Sequence, residues 1–419
     1  MFIVYDLIFL VIVLITLPVY LFRRKFHREF YKRFGVLPKN LKLERPIWIH
    51  AVSVGEVKLV HGLIDELRNI FPDKKFVIST VTPTGQMIAR DFIKEGDFLT
   101  YLPLDFSFIV NSVVKKINPS LFIIAETEIW PNLIRKLYKR HIPIVTVNGR
   151  ISDVSFSGYS SIDFLIRPIL RKISLFCVQT ELDKNRLISL GVAENKIKVT
   201  GNMKFDFAIP HDPEKDRRVT LGLSKEDKLL VCGSTHPGEE QVILSSYKKL
   251  SGEYGCLKLL IAPRHPERAR EIGELVKVAG FSPVFLSEAR GALTGAGKDS
   301  VFILDTMGEL ANYYSAADIV FVGKSLVNKG GQNILEPALF KKPIISGPYT
   351  FNFRDTVKLF VDNRAIRVVW DMVSLSNELK DLLDNPDNAA TLGRRAFDLL
   401  AKGRGATLRN ASIIRELYA

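Results

Sequence analysis

The sequence predicts an α/β protein made of two doubly wound parallel-sheet domains behind an apolar amino-terminal segment. Three observations lead there. Short apolar runs rich in β-branched and aromatic residues alternate with amphipathic stretches, the pattern of buried parallel strands joined by crossover helices. The alternation lapses over residues 206–227 into a polar, charged segment with two prolines, then restarts, as at a domain linker. The 419 residues, 47% hydrophobic and 25% charged, have the composition of a folded chain long enough for two or three domains, each with its own core.

Residues 2–22, FIVYDLIFLVIVLITLPVYLF, are apolar apart from Asp6 and Thr16, about the length needed to cross a bilayer as a helix. Arg23, Arg24, Lys25 and Arg28 follow at once, and the positive-inside bias then leaves the rest of the chain cytoplasmic. A cleaved signal peptide would carry its positive charge ahead of the apolar run and small residues behind it, and neither is present. The expectation is a retained transmembrane anchor over residues 1–22, with a membrane-surface or buried helix as the alternative. The first 45 residues hold nine Lys or Arg against three acids, so much of the net charge of +14 points to anionic lipid rather than nucleic acid. Cys177, Cys232 and Cys256 are odd in number and set in apolar runs, which reads as buried thiols.

The first domain, over residues 23–205, is expected to hold strands at 46–52, 75–80, 98–104, 121–126, 142–148 and 174–179. Between the first two, Val57, Val60, Leu63, Ile64 and Leu67 recur at helical spacing, so residues 56–71 form a crossover helix. The second domain, over 228–419, has strands at 228–234, 257–264, 282–287, 301–304, 318–323 and 342–346.

In doubly wound sheets ligands bind beyond the carboxyl ends of the strands, so chemistry is sought just after each run. The first candidate is HAVSVGEV, which puts Glu56 in the first turn of its helix, suited either to the helix dipole or to a reaction. In AETEIWPNL, Glu126 and Glu128 follow an apolar strand, and two such carboxylates need partners, water or a task. GNMKFD follows the strand-like IKVT and supplies the fixed charge of Lys204. GSTHPGEE offers backbone N–H groups and the Ser234 and Thr235 hydroxyls to a phosphate or sugar, although no P-loop motif exists in the chain. Arg264, directly after LKLLIAP, can bind a phosphate or carboxylate bidentately. GGQNILEPA spaces Asn333 and Glu336 three apart, and such a carboxylate suits a ribose diol. His50, His236 and His265 are scattered without metal-binding spacing, so no catalytic metal or cofactor is expected.

Taken in order, HAVSVGE, TPTG, YLPLD, ETEIWPNL, NGRIS, QTELD, GNMKFD, GSTHPGEE, APRHPER, DTMGEL, FVGKSL and GGQNILEPA closely resemble the 3-deoxy-D-manno-octulosonic acid (Kdo) transferases of Gram-negative bacteria. The resemblance runs over nearly the whole chain. It implies a glycosyltransferase B fold, CMP-Kdo as donor, the lipid A precursor as acceptor, and an inverting, metal-independent transfer in the inner membrane. It further implies Glu56 as catalytic base, with Glu126 and Lys204 stabilising the transition state. The first domain would bind acceptor, and the second would bind CMP through Pro263, Arg264, Met307, Gly308, Glu309, Asn333, Ile334, Leu335 and Glu336. Ser234, Thr235, Gly331 and Gln332 are further candidates for the donor phosphate or sugar. Two residues depart from the family pattern: Gln332 where histidine is common, and Lys324 where a second glycine is common. The alternatives are a transferase of similar fold using another nucleotide sugar, a nucleotide-sugar epimerase, and a membrane-tethered nucleic-acid-binding module. The last lacks any nucleic-acid-binding signature, and no nucleic-acid partner is expected.

Overall fold

The computed structural model describes residues 2–22, 29–206, 216–288, 297 and 299–418. The chain forms two compact units, one of Met1–Phe207 with Gly403–Ala419 and the other of Ala208–Lys402.

The first unit is built on strands β1 (Ile47–His50), β2 (Phe76–Thr80), β3 (Phe98–Tyr101), β4 (Leu121–Ala125), β5 (Ile144–Gly149), β6 (Leu175–Val178) and β7 (Ile197–Val199). They pair in parallel in the order β3-β2-β1-β4-β5-β6-β7. Every residue of β1, β2, β4, β5 and β6 is buried, as a sheet covered on both faces requires. Helix Val54–Ile70 begins where Ser53 Oγ accepts the Glu56 N–H, and it buries Val57, Val60, Leu63, Ile64 and Leu67 against the sheet, as the spacing predicts.

The second unit repeats the design with β8 (Lys228–Thr235), β9 (Leu257–Pro263), β10 (Ser282–Phe285), β11 (Ser300–Ile303), β12 (Ile319–Val322), β13 (Ile344–Ser346) and β14 (Arg367–Val368). The parallel order is β10-β11-β9-β8-β12-β13-β14. In each sheet the first strand has later strands on both sides, so the winding reverses between β1 and β4 and again between β8 and β12. Loops leaving the strands at these two points diverge and leave room for a ligand.

All of the expected strands are present. β7 reads in the sequence only as strand-like, and the two-residue β14 carries no run long enough to recognise. Residues 403–419, expected with the second domain, belong to the first unit. Helix Ala406–Tyr418 buries Ala406, Ala411 and Ile414 in the same core as helix Val54–Ile70. The centre of the expected linker, 207–215, and the basic residues Arg23, Arg24, Lys25 and Arg28 lie outside the described residues.

The backbone of Phe2–Phe22 is helical, but among the described residues no helix is long and apolar enough to cross a membrane. The spanning anchor expected there is therefore not found. Asp6, one of the two residues that interrupt the run, is used for docking, and so is the neighbouring Tyr5: Asp6 Oδ1 accepts from Asn132 Nδ2 at 2.7 Å and from the Ser107 N–H at 3.1 Å, and the Tyr5 hydroxyl donates to Asp105 at 3.0 Å. Phe9 packs edge-on against Phe106.

Candidate active site

The expected catalytic residues all belong to the first unit and gather at its switch point. Glu56 stands after β1 and Glu126 after β4, the two strands between which the winding reverses. Glu126 has a left-handed backbone, φ 58°, a conformation that costs a non-glycine residue energy and that recurs at functional sites. It is held there on both sides. Its N–H bonds to Val147 O at 2.9 Å, and the Thr127 hydroxyl links to the Arg150 backbone at 2.6 Å through its oxygen and 3.0 Å through its N–H.

Lys204, 78 residues further along the chain, reaches Glu126 Oε1 at 3.3 Å. Both side chains are about one-third exposed, so the pair contributes at most about 1 kcal/mol to stability. Its geometry nevertheless comes from a built support. Lys204 lies on the short turn Met203–Asp206, where the buried Asn148 carboxamide accepts the Met203 N–H at 2.9 Å. The Asp206 carboxylate accepts the N–H groups of Gly405 and Thr407, each at 2.6 Å. The last seventeen residues thus fix the turn that carries the lysine.

The Glu56 carboxylate accepts from the Val52 N–H and the Ser53 hydroxyl, each at 2.8 Å, so it caps its own helix. Capping leaves lone pairs free, and the half-buried side chain also feels its neighbours. Burial, and then the charge of Glu126, push the Glu56 carboxyl above the usual range. Glu128 is raised further, to about 7, by burial and then by the charges of Glu56 and Glu126. Three carboxylates and one ammonium therefore share this point, with the neutral His50 beneath them at the end of β1. Burial lowers His50 to about 4, and its Nδ1 faces Ser79 O at 2.9 Å.

The donor-side candidates lie in the second unit, largely around its switch point. Gly323, after β12, passes so close to the Ser234 backbone that a Cβ would lie 2.7 Å from Ser234 O, which only glycine allows. Ser234 bulges out of β8 at φ 57°, and Thr235 O accepts the Arg264 N–H at 3.0 Å, joining the ends of β8 and β9. Pro263 closes β9. Just before helix Leu335–Leu339, Asn333 Oδ1 accepts the Leu335 N–H at 3.1 Å and its Nδ2 donates to Glu336 at 3.3 Å, with Ile334 buried beneath. Gly331, just before Gln332, donates its N–H to Lys324 O at 2.8 Å. Met307, Gly308 and Glu309 follow β11, two strands from β8; Met307 is exposed and Glu309 pairs with the buried Arg217 at 3.6 Å.

The two units thus present separate chemistries, carboxylates with a lysine and cations with backbone amides. A family model described as 3-deoxy-D-manno-octulosonic-acid transferase (kdotransferase) matches residues 28–207. The 3-deoxy-D-manno-octulosonic acid transferase of Haemophilus influenzae is 34% identical over 371 residues, covering 88% of this chain and 86% of that one. The Chlamydia trachomatis protein of the same name is 32% identical, covering 92% and 90%. The chain belongs to the Kdo transferase family. It is therefore a glycosyltransferase, and its family acts in lipopolysaccharide synthesis. Solved structures agree on the fold. A glycosyltransferase from Rickettsia africae aligns with TM-score 0.57 at 14% identity over 90% of this chain and 98% of its own. UDP-GlcNAc 2-epimerase from Neisseria meningitidis aligns with TM-score 0.56 at 14% identity over 88% and 98%.

Within this Kdo transferase site, sequence reasoning missed supporting residues. Glu239 is fully buried and its carboxylate accepts four backbone N–H groups: His236 at 2.9 Å, Lys324 at 2.6 Å, and Ser325 and Leu326 each at 2.8 Å. It stitches the loops after β8 and β12 together. Its neighbour Glu240 pairs instead with Arg268 at 2.8 Å. The paired acids of GSTHPGEE were the available signal, since two consecutive glutamates opening a buried helix need partners.

Proposed function

We propose that this protein is an inverting transferase that moves Kdo from CMP-Kdo to a lipid A precursor, with Glu56 as proton acceptor. The reading is carried by one observation: Glu56, Glu126, Glu128 and Lys204 converge at the first sheet's switch point in a chain of the Kdo transferase family. An inverting transfer needs a base to take the acceptor hydroxyl proton as its oxygen attacks the anomeric carbon, while the nucleotide departs from the opposite face. A carboxyl raised by burial is suited to that work near neutral pH. Glu126 and Lys204, already paired, supply charge that can rearrange as the transition state forms.

CMP leaves as a phosphate monoester, so the departing group calls for positive charge and N–H dipoles rather than a strong acid. Arg264 supplies the first. Pro263, Met307, Gly308, Glu309 and Asn333 through Glu336 make up the CMP site in this reading, with Glu336 on the ribose diol and Ser234, Thr235, Gly331 and Gln332 toward the phosphate and sugar.

The same reading places the protein on the cytoplasmic face of the inner membrane, where a lipid-linked acceptor is found, held there by the amino-terminal segment. Its support is the apolar run with its basic flank, and the exposure of Leu7, Ile8, Leu10, Val11, Leu14 and Ile15. Incubating the purified protein with lipid A precursor and either CMP-Kdo or a UDP-sugar tests the proposal by mass spectrometry of the lipid. Addition of Kdo from CMP-Kdo alone is expected; transfer from the UDP-sugar alone would overturn it.

A further inference from the structure

Asp105, the aspartate of YLPLD, lies beyond β3 and is 1% exposed. Its Oδ2 accepts the Asn132 N–H at 3.0 Å and its Oδ1 the Leu133 N–H at 2.9 Å, while Asn132 Nδ2 donates to the Asp105 carbonyl at 2.6 Å. These are opening amides of helix Pro131–Lys139, whose dipole also favours a carboxylate there. The helix starts where the loop at 126–130, which carries Glu126 and Glu128, comes to its end. That loop is tied at its beginning by the Glu126 N–H on Val147 O and by the Thr127–Arg150 pair, and at its far end by Asp105. Glu128 stands between the two ties.

The second tie is completed from the amino terminus. The Tyr5 hydroxyl donates at 3.0 Å to Asp105 Oδ2, the oxygen that also receives the Asn132 N–H. Asp6 Oδ1 accepts from Asn132 Nδ2 at 2.7 Å and from the Ser107 N–H at 3.1 Å. Phe9 stacks on Tyr5 at 5.8 Å and meets Phe106 edge-on at 5.0 Å, which steadies the helix against these groups. Burial pushes the Asp105 carboxyl up to about 7, and the Asn132, Leu133 and Tyr5 donors act against that rise. Losing one of them favours protonation of Asp105 and loosens its hold on the helix start. An aspartate in an apolar run is costly to a segment whose task is only to enter lipid, so these contacts call for another purpose.

We propose that Tyr5, Asp6 and Asp105 are positioning residues for the transfer reaction: the docked amino-terminal helix locks the start of helix Pro131–Lys139 and so fixes Glu128 beside Glu56 and Glu126. The inference rests on the reading of that carboxylate group as the site of transfer. A small displacement of a reacting or charge-bearing group lowers rate more than it lowers binding. Turnover therefore depends on the amino-terminal helix even where no bilayer is present.

The test uses the full-length protein in detergent micelles, with lipid A precursor as acceptor, so that recruitment to a bilayer plays no part. Tyr5→Phe removes one hydroxyl and keeps the ring; Asp105→Asn removes the charge at the centre. Each should lower kcat by about threefold or more and change the KM for either substrate less than about twofold. The double variant should lose about as much as Asp105→Asn alone, because both act through one carboxylate. Trp130, immediately before helix Pro131–Lys139, reports the loop directly. With the exposed Trp370 replaced by Phe and Trp48 buried in the core, acrylamide should quench Trp130 fluorescence more strongly in both variants than in the parent. An unchanged kcat in Tyr5→Phe would overturn the inference, as would a lowered kcat without greater quenching. Leu14→Ala, at an exposed position on the same helix, should change neither readout, and an equal loss there would also overturn it. Absence of Kdo transfer by the unaltered protein would instead overturn the reading of the reaction, and the quenching would still report the tie.

Discussion

At the scale of single residues, the carboxylates at the first switch point have divided roles. Glu128, held near 7 by burial and two neighbouring carboxylates, loses its proton across neutral pH. The added negative charge strengthens Glu56 as a base, so turnover should rise through about pH 7. In Glu128→Gln that inflection should vanish from the pH profile; its persistence would assign it to another group. On the donor side, Arg264→Ala should weaken CMP binding by about 1.5–3 kcal/mol if the contact is charge-assisted, with calorimetry as the check and unchanged affinity as the refuting result. Glu56, Glu126, Lys204 and Arg264 were legible in the sequence because each directly follows an apolar strand or strand-like run. Glu239 was missed: the paired acids of GSTHPGEE announce a need for partners, but not that three of its four backbone donors come from a loop more than eighty residues away.

At the scale of elements, strands were read well because buried parallel strands are short continuous apolar runs. The errors fall where a segment's partner is distant. Helix Ala406–Tyr418 has an ordinary amphipathic pattern that says nothing about which sheet it covers, and it packs on the first unit. It matters to the site because Asp206 binds its opening N–H groups and so holds the turn of Lys204. Asp206→Ala should destabilise the protein by about 1.5–3 kcal/mol and lower turnover more than donor affinity. Denaturant melting and a comparison of kcat with KM would measure both. An intact rate in a destabilised variant would show that the turn holds the lysine without this support.

At the scale of the whole molecule, hydrophobicity along the chain located the amino-terminal segment but not what its polar residues do. Asp6, which interrupts the apolar run, binds Asn132 and Ser107, and the neighbouring Tyr5 binds Asp105. Deleting residues 1–22 should therefore do two things. The protein should remain folded with reduced stability, by about 1–3 kcal/mol for the lost hydrogen bonds, and it should lose most of its retention on anionic vesicles, the remainder weakening as salt rises. Full vesicle retention after the deletion would place membrane binding elsewhere on the surface.

The most direct measurement of the central claim is single-turnover transfer by Glu56→Gln beside separate binding of CMP-Kdo and acceptor. Glutamine keeps one of the two oxygens that accept from the Val52 N–H and the Ser53 hydroxyl, and the Ser53 hydroxyl can turn to accept from its amide, but it cannot take a proton. Near-normal binding with turnover lower by about 10²–10⁴ is the predicted result, and Glu126→Gln should lose less because an amide dipole keeps part of an electrostatic role. Near-normal turnover by Glu56→Gln at saturating substrates would reduce Glu56 to a helix cap and contradict the account.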